Sequence, residues 1–377
     1  MLLDATAVPV DRGGVGRYVD NLVPALVRAG VDLRVACRPV DTAHYRELSG
    51  HEPLAAPHAT DRRPVRLAWE QIGLPALVRQ AAADVLHSPH YTHPLVARVP
   101  SVVTLHDATF FTDARLHAPT KVAFFRAATQ LALRRAAQCV VDSRATAEEL
   151  TCVAGADPSR LTVAHLGVDT AVFAPPSAAQ IRAVRDRLGL TGPYVAFLGT
   201  LEPRKNVPAL IRGWVSAAHG RAEPPALVLA GGRGWDHDVD AALVAVPAPL
   251  RVIRAGYLPL ELLAGLLGGA EVVAYPSLAE GFGLPVLEAM ACGAAVLTTR
   301  RTSLPEVGGD AVEYTEPDWA SIATALRGLL DDQDRRATLR GAGVARAAAF
   351  TWDACAAAHV SAYGKATAMT RDRLGRT

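Results

Sequence analysis

The sequence predicts an α/β protein with two doubly wound domains, each built on a mostly parallel sheet. Short apolar runs alternate with longer helical patterns along nearly all of the 377 residues, and a proline-marked connector interrupts this alternation near the middle. The length agrees with about two to three domains at ~150 residues each. Half of the residues (50%) are apolar and 20% are charged, which is typical of a globular protein and excludes the fibrous and disordered classes.

Near-continuous apolar runs in the first half predict five β-strands, because strands buried on both faces of a parallel sheet carry few polar residues. These runs are Asp32–Cys37, Asp84–His87, Ser101–His106, Cys139–Asp142 and Leu161–His165. Apolar residues at helical spacing predict the intervening helices. The helical stretches are Gly14–Ala29, Pro64–Ala82, Lys121–Ala137 and Arg144–Ala154. Ser143 is expected to cap the last of them, since its hydroxyl can accept a hydrogen bond from a free backbone N–H.

Pro175 and Pro176 mark the connector, because neither can continue a regular helix or strand. We place the boundary there, which gives domains at residues 1–172 and 173–350. The second half repeats the alternation with six strand candidates. These are Tyr194–Leu198, Ala226–Ala230, Arg251–Ala255, Glu271–Tyr275, Ala294–Thr298 and Ala311–Tyr314. Residues 351–377 close the chain, with an Ala-rich helix predicted over Thr351–Ala368.

The charge balance excludes a protein-wide attraction to nucleic acid. Lys plus Arg number 39 against 37 Asp plus Glu, a net charge of +2, so any anionic partner must be bound locally. Five scattered cysteines without a C-x-x-C pair argue against a disulfide framework or a zinc site and fit a reducing cytoplasm. The first residues do not read as a signal peptide and no apolar run is long enough to span a bilayer, so we expect neither export nor a membrane span.

The most informative motif is a strand, a glycine loop and a helix over residues 275–293. Pro285 suits the first helical turn, which places Glu280 in the loop and Glu288 inside the helix. The loop glycines allow close backbone approach and present N–H groups to a phosphate or a sugar oxygen. We expect Glu280 to accept a hydrogen bond from a hexose hydroxyl and Glu288 to bind a ribose diol. The alternative is an ordinary capped surface helix.

A second motif over residues 197–206 also follows a strand and leads into a helix. Its adjacent Arg204 and Lys205 can bind a diphosphate, one as a bidentate fork and the other as a point charge. The alternative is a solvated pair of cations on a loop.

Two features near the start complete the candidate site. The glycine loop at residues 13–16, with Gly14, opens a helix and offers backbone donors to an anion. Its G-G-x-G spacing differs from the dinucleotide fingerprint, so a nicotinamide site is not predicted. Few residues precede this loop, so a first strand must be very short unless the start is truncated. His106 ends an apolar strand and is expected to donate to a sugar hydroxyl or to orient the acceptor, the alternative being a merely packed histidine.

Two further groups were considered and assigned ordinary roles. His87, His90 and His93 recur at a spacing of three, but intervening prolines prevent a helix from aligning them on a metal, so we interpret them as an acceptor-side loop at most. The basic stretch at residues 121–135 carries apolar side chains that could lie on a membrane surface. A solvated helix face is favoured, because Arg stems usually cover their own domain.

Together the motifs resemble the family 4 glycosyltransferases. Glu280 to Glu288 reproduces the E-x7-E element of retaining glycosyltransferases with the GT-B fold. Supporting segments in order are GGVGRY at 13–18, TLHD at 104–107, VDSRATAEEL at 141–150, LGVD at 166–169, LGTLEPRKN at 198–206 and LAGG at 229–232. The resemblance covers nearly the whole chain. It implies two Rossmann-like domains facing across a cleft, with the last helix returning to the N-terminal, acceptor-side domain.

The resemblance also implies roles for the site residues. Catalytic roles fall on His106, Arg204, Lys205 and Glu280. Residues expected to contact the donor are Gly14, Gly199, Arg204, Lys205, Glu280, Gly281, Phe282, Gly283, Leu284 and Glu288. No D-x-D pair stands at a convincing strand end, so we expect no metal and no cofactor, with the cations and amide donors neutralising the leaving diphosphate.

The implied activity is retaining transfer of a hexose from a nucleoside diphosphate sugar to an acceptor hydroxyl. GDP-mannose ranks first as the donor and a UDP-sugar second, and the acceptor is a glycan, a lipid-linked sugar or a natural product. The alternatives are a sugar-nucleotide 2-epimerase and a non-catalytic nucleotide-sugar-binding protein. We expect a cytoplasmic protein with no nucleic-acid partner and at most peripheral contact with the inner face of the membrane.

Overall fold

The computed structural model describes residues 1–9 and 12–374 and divides them into two compact units. Unit 1 comprises Met1–Gly167 with Thr351–Thr377, and unit 2 comprises Val168–Phe350. Within the predicted segments 1–172 and 351–377, residues 10, 11 and 375–377 lie outside the described residues. Each unit contains one parallel sheet with helices, which confirms the predicted two-domain α/β class.

Unit 1 holds a seven-stranded parallel sheet in the order β3-β2-β1-β4-β5-β6-β7. Its strands are β1 Leu2–Asp4, β2 Arg34–Cys37, β3 Leu54–Ala55, β4 Leu86–Ser88, β5 Ser101–Leu105, β6 Gln138–Val141 and β7 Leu161–Val163. Its first six helices are α1 Gly14–Arg28, α2 Thr42–Ser49, α3 Arg63–Gln80, α4 Thr109–Thr112, α5 Pro119–Arg135 and α6 Arg144–Ala154. The predicted cap is confirmed, because the Ser143 hydroxyl accepts from the Thr146 N–H at 3.1 Å.

Three short elements of unit 1 are not predicted by the sequence patterns. β3 has only two residues at the sheet edge, α4 has one turn, and α2 buries only Tyr45 and Ser49, so none shows a periodicity that a window of sequence can detect. β1 is three residues long and fully buried, which agrees with the expected very short first strand.

Unit 2 holds a six-stranded parallel sheet in the order β10-β9-β8-β11-β12-β13. Its strands are β8 Tyr194–Leu198, β9 Ala226–Ala230, β10 Val252–Gly256, β11 Val272–Tyr275, β12 Val296–Thr299 and β13 Glu313–Thr315. Its helices are α7 Ala178–Leu188, α8 Val207–Ala218, α9 Asp238–Val244, α10 Leu260–Gly268, α11 Leu284–Ala291, α12 Leu304–Gly308, α13 Trp319–Asp331 and α14 Gln333–Ala347.

The strand order of unit 2 decides where its loops meet. The chain runs outward from β8 to β9 and β10, then returns to place β11 directly beside β8. Loops leaving the carboxyl ends of two such neighbouring strands diverge to opposite sides and leave a crevice, the usual ligand site of an open parallel sheet. Residues after β8 and after β11 therefore share one edge although about 70 positions separate them.

The division between the units falls at residues 167 and 168, a few residues before the predicted 172 and 173. A Cβ on Gly167 would lie 2.2 Å from the Trp352 backbone nitrogen, so the outgoing and returning chain segments touch at this glycine. On the unit 2 side, the Val168 N–H donates to the Phe350 carbonyl at 3.1 Å. The division therefore falls where the chain leaves unit 1 and where it returns, whereas Pro175 and Pro176 lie inside unit 2.

The last helix, α15 Trp352–Leu374, packs on α1 and on strands β5 to β7 of unit 1. Within the described part of the chain, no helix is both long enough and apolar enough to cross a membrane.

A buried polar network joins α15 to unit 1. The Tyr18 hydroxyl lies 2.9 Å from the Thr104 hydroxyl and 2.7 Å from His359 Nε2. His87 Nε2 lies 2.9 Å from the same threonine, and His87 Nδ1 lies 3.0 Å from the Tyr363 hydroxyl. Burial lowers the pKa of His87 well below 6.5 and that of His359 to about 4. Both histidines are therefore neutral hydrogen-bonding groups at neutral pH.

We expect acidification to destabilise the protein through this network. The folded-state pKa of His359 lies below its ordinary value of 6.5, so the unfolded chain binds more protons between about pH 6.5 and pH 4. The stabilisation is complete above pH 6.5 and is reduced by roughly 2 kcal/mol at pH 5 for one such histidine. Thermal unfolding at pH 7.5 and pH 5 measures the loss.

His359→Gln should unfold with a smaller drop in Tm between these pH values than the wild type. His219→Gln, at an exposed position of unit 2, is the matched control and should keep the wild-type drop. Equal drops in the two variants would contradict the role given to His359.

Candidate active site

The candidate site lies at the edge of the unit 2 sheet where β8 and β11 end. Two loops are bound together there by backbone and side-chain hydrogen bonds. The Arg204 carbonyl accepts from the Leu278 N–H at 2.7 Å and from the Ser277 hydroxyl at 2.9 Å. Asn206 Nδ2 donates to the Pro276 carbonyl at 3.1 Å. These bonds place the predicted cations beside the predicted carboxylate.

Arg204, Lys205 and Glu280 form an ion triad. Arg204 Nη1 lies 2.6 Å from Glu280 Oε2, and Lys205 Nζ lies 2.6 Å from Glu280 Oε1. The Ser277 hydroxyl also donates to Glu280 Oε1 at 2.5 Å, and Lys205 Nζ donates to the Tyr275 hydroxyl. Glu280 and Lys205 are each only 6% exposed. The carboxylate therefore binds both cations within the protein interior.

Residues after β12 hold the backbone of the Glu280 loop. The Thr302 hydroxyl accepts from the Glu280 N–H at 2.8 Å. The Ser303 hydroxyl bridges the carbonyls of Glu280 and Phe282 at 2.9 and 2.8 Å. The sequence reasoning missed both residues, although a Thr-Ser pair after a strand at the same sheet edge is a usable signal for such a contact.

The triad shifts the pKa of its members. Burial alone would raise the pKa of Glu280, but the charges of Arg204 and Lys205, with hydrogen bonds from Lys205 and Ser277, outweigh burial and lower it to about 2. Burial and the neighbouring Arg204 charge lower the pKa of Lys205 to about 8, although Glu280 opposes them. Glu280 is therefore an anion at every physiological pH, whereas Lys205 loses its charge as pH rises through about 8.

Arg204 is oriented from two sides. Its Nε donates to Glu202 Oε2 at 2.8 Å while Nη1 binds Glu280. A guanidinium held in this way presents its plane in one direction, which suits recognition of a phosphate. The Arg204 side chain is 21% exposed. Arg204 and Lys205 are therefore largely enclosed by protein and are not the solvated pair of cations that was the alternative prediction.

The glycine loop leads into α11 as the motif predicts. Gly283 adopts a φ of +107°, a left-handed conformation that favours glycine, and Leu284 begins the helix with Pro285 in its first turn. Glu288 lies buried inside α11. The Phe282 ring is also buried and packs edge-on against Phe350, with ring centroids 5.9 Å apart, so only its backbone can serve the predicted donor contact.

Gly199 lies directly after β8, at the same edge of the sheet. Its N–H donates to the Ala230 carbonyl at 2.9 Å. Gly281 follows Glu280 in the loop. The predicted donor residues of unit 2 therefore lie at or shortly after the ends of β8 and β11, apart from Leu284 and Glu288, which belong to α11.

His106 lies in unit 1 at the carboxyl end of β5. Its Nδ1 lies 2.8 Å from Asp142 Oδ2 and its Nε2 lies 2.8 Å from the Pro89 carbonyl. Burial lowers the pKa of His106, but the Asp142 charge and hydrogen bond outweigh burial and raise it. The Pro89 carbonyl can only accept, so Nε2 carries a proton and donates to it, while the Asp142 carboxyl group binds Nδ1. Contact with a sugar hydroxyl would require the Pro89 loop to give up its bond.

The predicted anion loop at Gly14 begins α1 in unit 1. Arg12, which precedes it, does not extend toward an anion but is bound by Asp20 at 2.6 Å and by Asp41 at 3.0 Å. The contribution of this loop to an anion is therefore restricted to its backbone N–H groups.

The three histidines at residues 87, 90 and 93 lie within unit 1, and His87 and His93 are buried there. His87 belongs to the α15 network, and burial lowers the pKa of His90 to about 3 and that of His93 to about 4. Among the described residues, no group of three or more His, Cys, Asp or Glu side chains is placed to hold a metal ion.

Comparison with known proteins agrees with this arrangement. The model of Glycosyltransferase Family 4 matches residues 12–172, and the model of Glycosyl transferases group 1 matches residues 180–345. Over 370 residues the chain is 31% identical to O-antigen chain mannosyltransferase B of Escherichia coli, covering 93% of this chain and 95% of that protein. The chain belongs to glycosyltransferase family 4.

Other family relatives and structures cover a similar extent. A D-inositol 3-phosphate glycosyltransferase of Salinispora tropica is 31% identical over 409 residues, covering 97% of this chain and 83% of that protein. The crystal structure of Anabaena HepE in complex with UDP and glucose matches with a TM-score of 0.73 at 19% identity, covering 100% of this chain and 99% of that one. These matches confirm the two-domain GT-B fold and a glycosyltransferase.

We expect Glu280→Gln to destabilise the protein strongly, because Arg204 and Lys205 both lose the buried carboxylate that they bind. Breaking a buried ion pair costs about 3–5 kcal/mol. Glu202→Gln is the matched control, since it removes a carboxylate from the same arginine at a site 17% exposed. Denaturant unfolding of both variants measures the difference. A loss for Glu280→Gln no larger than that for Glu202→Gln would show that the triad is not the principal charge contact of this edge.

Proposed function

We propose that the protein transfers a hexose from a nucleoside diphosphate sugar to an acceptor hydroxyl with retention of configuration. The ion triad of Arg204, Lys205 and Glu280 carries this proposal. Two cations are oriented at the switch point of a parallel sheet, beside a glycine loop that begins a helix. Such an edge is where open α/β sheets bind ligands, and such donors bind phosphate groups.

The diphosphate binds at Arg204 and Lys205, which neutralise the charge that develops as the bond to the sugar breaks. Amide groups of the loop from Gly281 to Leu284 supply further donors, whereas the Gly199 N–H already donates to the Ala230 carbonyl. The cations supply this neutralisation without a metal or another cofactor. Preorganisation by Glu280 favours the reaction, because donors already oriented require no rearrangement as charge develops.

The carboxylates bind the neutral hydroxyls of the donor. Glu280, which is ionised, accepts a hydrogen bond from a hexose hydroxyl. Glu288 accepts a hydrogen bond from the ribose diol. A hydrogen bond from a neutral hydroxyl to an ionised carboxylate is stronger than one between two neutral groups.

The anomeric configuration is retained because the acceptor hydroxyl attacks the sugar on the same face from which the diphosphate leaves. The bond between the anomeric carbon and the diphosphate oxygen breaks, the bond to the acceptor oxygen forms on the same face, and the diphosphate oxygen takes the acceptor proton. His106, held by Asp142, is assigned to orient the acceptor side through the Pro89 loop.

GDP-mannose ranks first as the donor and a UDP-sugar second. The mannosyltransferase relative supports the first, and the HepE complex with UDP and glucose supports the second. The acceptor is a glycan, a lipid-linked sugar or a natural product, and the relative that acts on D-inositol 3-phosphate adds a small phosphorylated polyol to these classes. The five free cysteines fit a reducing compartment, so we propose a cytoplasmic enzyme with at most peripheral contact with the inner face of the membrane.

The direct test incubates the full chain with GDP-mannose or UDP-glucose, with methyl α-mannoside or D-inositol 3-phosphate as the acceptor. We expect release of the nucleoside diphosphate only when an acceptor is present, and a glycoside with the donor's anomeric configuration by NMR. An epimerised sugar nucleotide formed from donor alone would indicate the epimerase, and no turnover of either donor would indicate a binding protein; both outcomes refute transfer.

The role of Lys205 has a pH signature. Because the pKa of Lys205 is about 8, kcat/KM for the donor should fall as pH rises above about 8. Lys205→Met should lower kcat/KM by about ten- to a hundredfold, the equivalent of one charged hydrogen bond, and should flatten the profile between pH 7 and 9. Lys365→Met, at an exposed position of α15, is the control and should keep the wild-type value and profile. An unchanged profile in Lys205→Met would exclude the assigned role.

A further inference from the structure

A basic pocket of about 510 Å³ lies in unit 1 at the amino-terminal edge of its sheet. Its wall includes Ser101 at the start of β5, Ala137 directly before β6 and Arg160 directly before β7. His106 follows the opposite end of β5, so the pocket and the carboxyl edge of the sheet are separated by the length of the strands. None of the proposed donor-site residues lines this pocket, and neither does His106.

Four arginines line the pocket, and no acidic residue does. They are Arg98, Arg134, Arg135 and Arg160. Among the side chains that the structure describes, none of the four has a carboxylate partner. Exposed arginines in proteins commonly have both acidic and basic residues around them. This chain has a net charge of +2, with nearly equal numbers of acidic and basic residues. With no carboxylate beside them among the described side chains, these four arginines form a local concentration of positive charge.

Arg160 is the anchored member of the group. One of its terminal nitrogens donates to the Ala136 carbonyl, at the end of α5. Its Nε is buried and has no hydrogen-bond partner among the described residues. Buried N–H groups are rarely left without an acceptor, so Arg160 is held at the pocket wall with hydrogen-bonding capacity that its protein partners do not fill.

The macrodipole of α5 explains only part of the arrangement. Arg134 and Arg135 lie in the last turn of that helix, where cations stabilise the partial negative charge of the helix end. Arg98 comes from the loop after β4 and Arg160 from the segment before β7, and neither belongs to α5. Convergence from three separate segments is typical of a ligand site.

Exposed apolar residues lie on the same loop. Leu95 is 51% exposed and Val96 is 76% exposed. Gln71 of α3 holds this loop through bonds to the Leu95 N–H at 2.9 Å and the His93 carbonyl at 3.1 Å, and the neighbouring Ile72 is 79% exposed. The positive pocket therefore has an apolar surface beside it.

We propose that this pocket binds a phosphate group, carried either by a soluble phosphate compound or by a lipid headgroup. Arginine forks bind phosphate oxygens bidentately, and the volume admits a phosphate or a diphosphate with its hydration. The site belongs to unit 1 and does not depend on the donor site proposed at Arg204 and Lys205 in unit 2.

The test uses two probes on the full chain carrying Lys205→Met, which weakens the proposed donor site. Inorganic pyrophosphate is titrated by calorimetry, and binding to vesicles of phosphatidylcholine with and without phosphatidylglycerol is measured by sedimentation. We expect Arg98→Gln with Arg135→Gln to weaken binding of at least one probe by about tenfold or more. Arg182→Gln with Arg187→Gln, which removes two exposed arginines of α7, is the control and should leave binding unchanged.

Loss of pyrophosphate binding in the first variant indicates a soluble phosphate ligand, and loss of binding to phosphatidylglycerol vesicles alone indicates a lipid headgroup. Binding of neither probe, or equal effects of the two variants, overturns the proposal. A lowered Tm with unchanged binding would assign Arg135 to helix stabilisation only and also overturns it. Arg98→Gln alone, on the loop, keeps the test valid if the double variant fails to fold, with the same expected direction.

Discussion

The structure of the candidate site depends on one buried carboxylate that binds two cations. Glu280 holds Arg204 and Lys205 at 2.6 Å each, and its own backbone is held by Thr302 and Ser303. Because charges are costly to bury alone, each member requires the other two, and the loops after β8 and β11 are joined through them. The strand order of unit 2 makes this possible, since it places those two strand ends side by side. The charge that would bind a diphosphate is therefore part of what holds the loops together.

The ion triad of unit 2 and the α15 network of unit 1 use opposite electrostatic solutions. Unit 2 buries ionised groups that neutralise one another at the sheet edge. Unit 1 buries neutral histidines and tyrosines, whose hydrogen bonds join α15 to the strands. The neutral network contributes stability that declines in acid, whereas Lys205 changes charge near pH 8. Acid and alkali are thus expected to affect different parts of the molecule, the first through folding and the second through ligand binding.

Local patterns in the sequence predict most of the strands, because buried parallel strands are nearly continuous apolar runs. They do not predict β3 or α2, which are too short or too polar to show a period. The motifs also locate Arg204, Lys205 and Glu280, yet not their pairing, because ion pairs across about 70 residues depend on strand order. For the same reason Thr302 and Asp142 were missed as partners, whereas the bond from Ser277 to Glu280, three residues on, depends on the conformation of the loop. His106 was expected to face a ligand, and its two protein partners follow from loop conformations that no short sequence window encodes.

The central claim is that a nucleoside diphosphate binds on the cations that Glu280 holds. A crystal structure of the chain soaked with GDP or UDP tests it most directly. We expect phosphate oxygens about 3 Å from nitrogen atoms of both Arg204 and Lys205, with Glu280 still bound to the lysine. A nucleotide whose phosphates lie away from both cations, in either unit, would contradict the account.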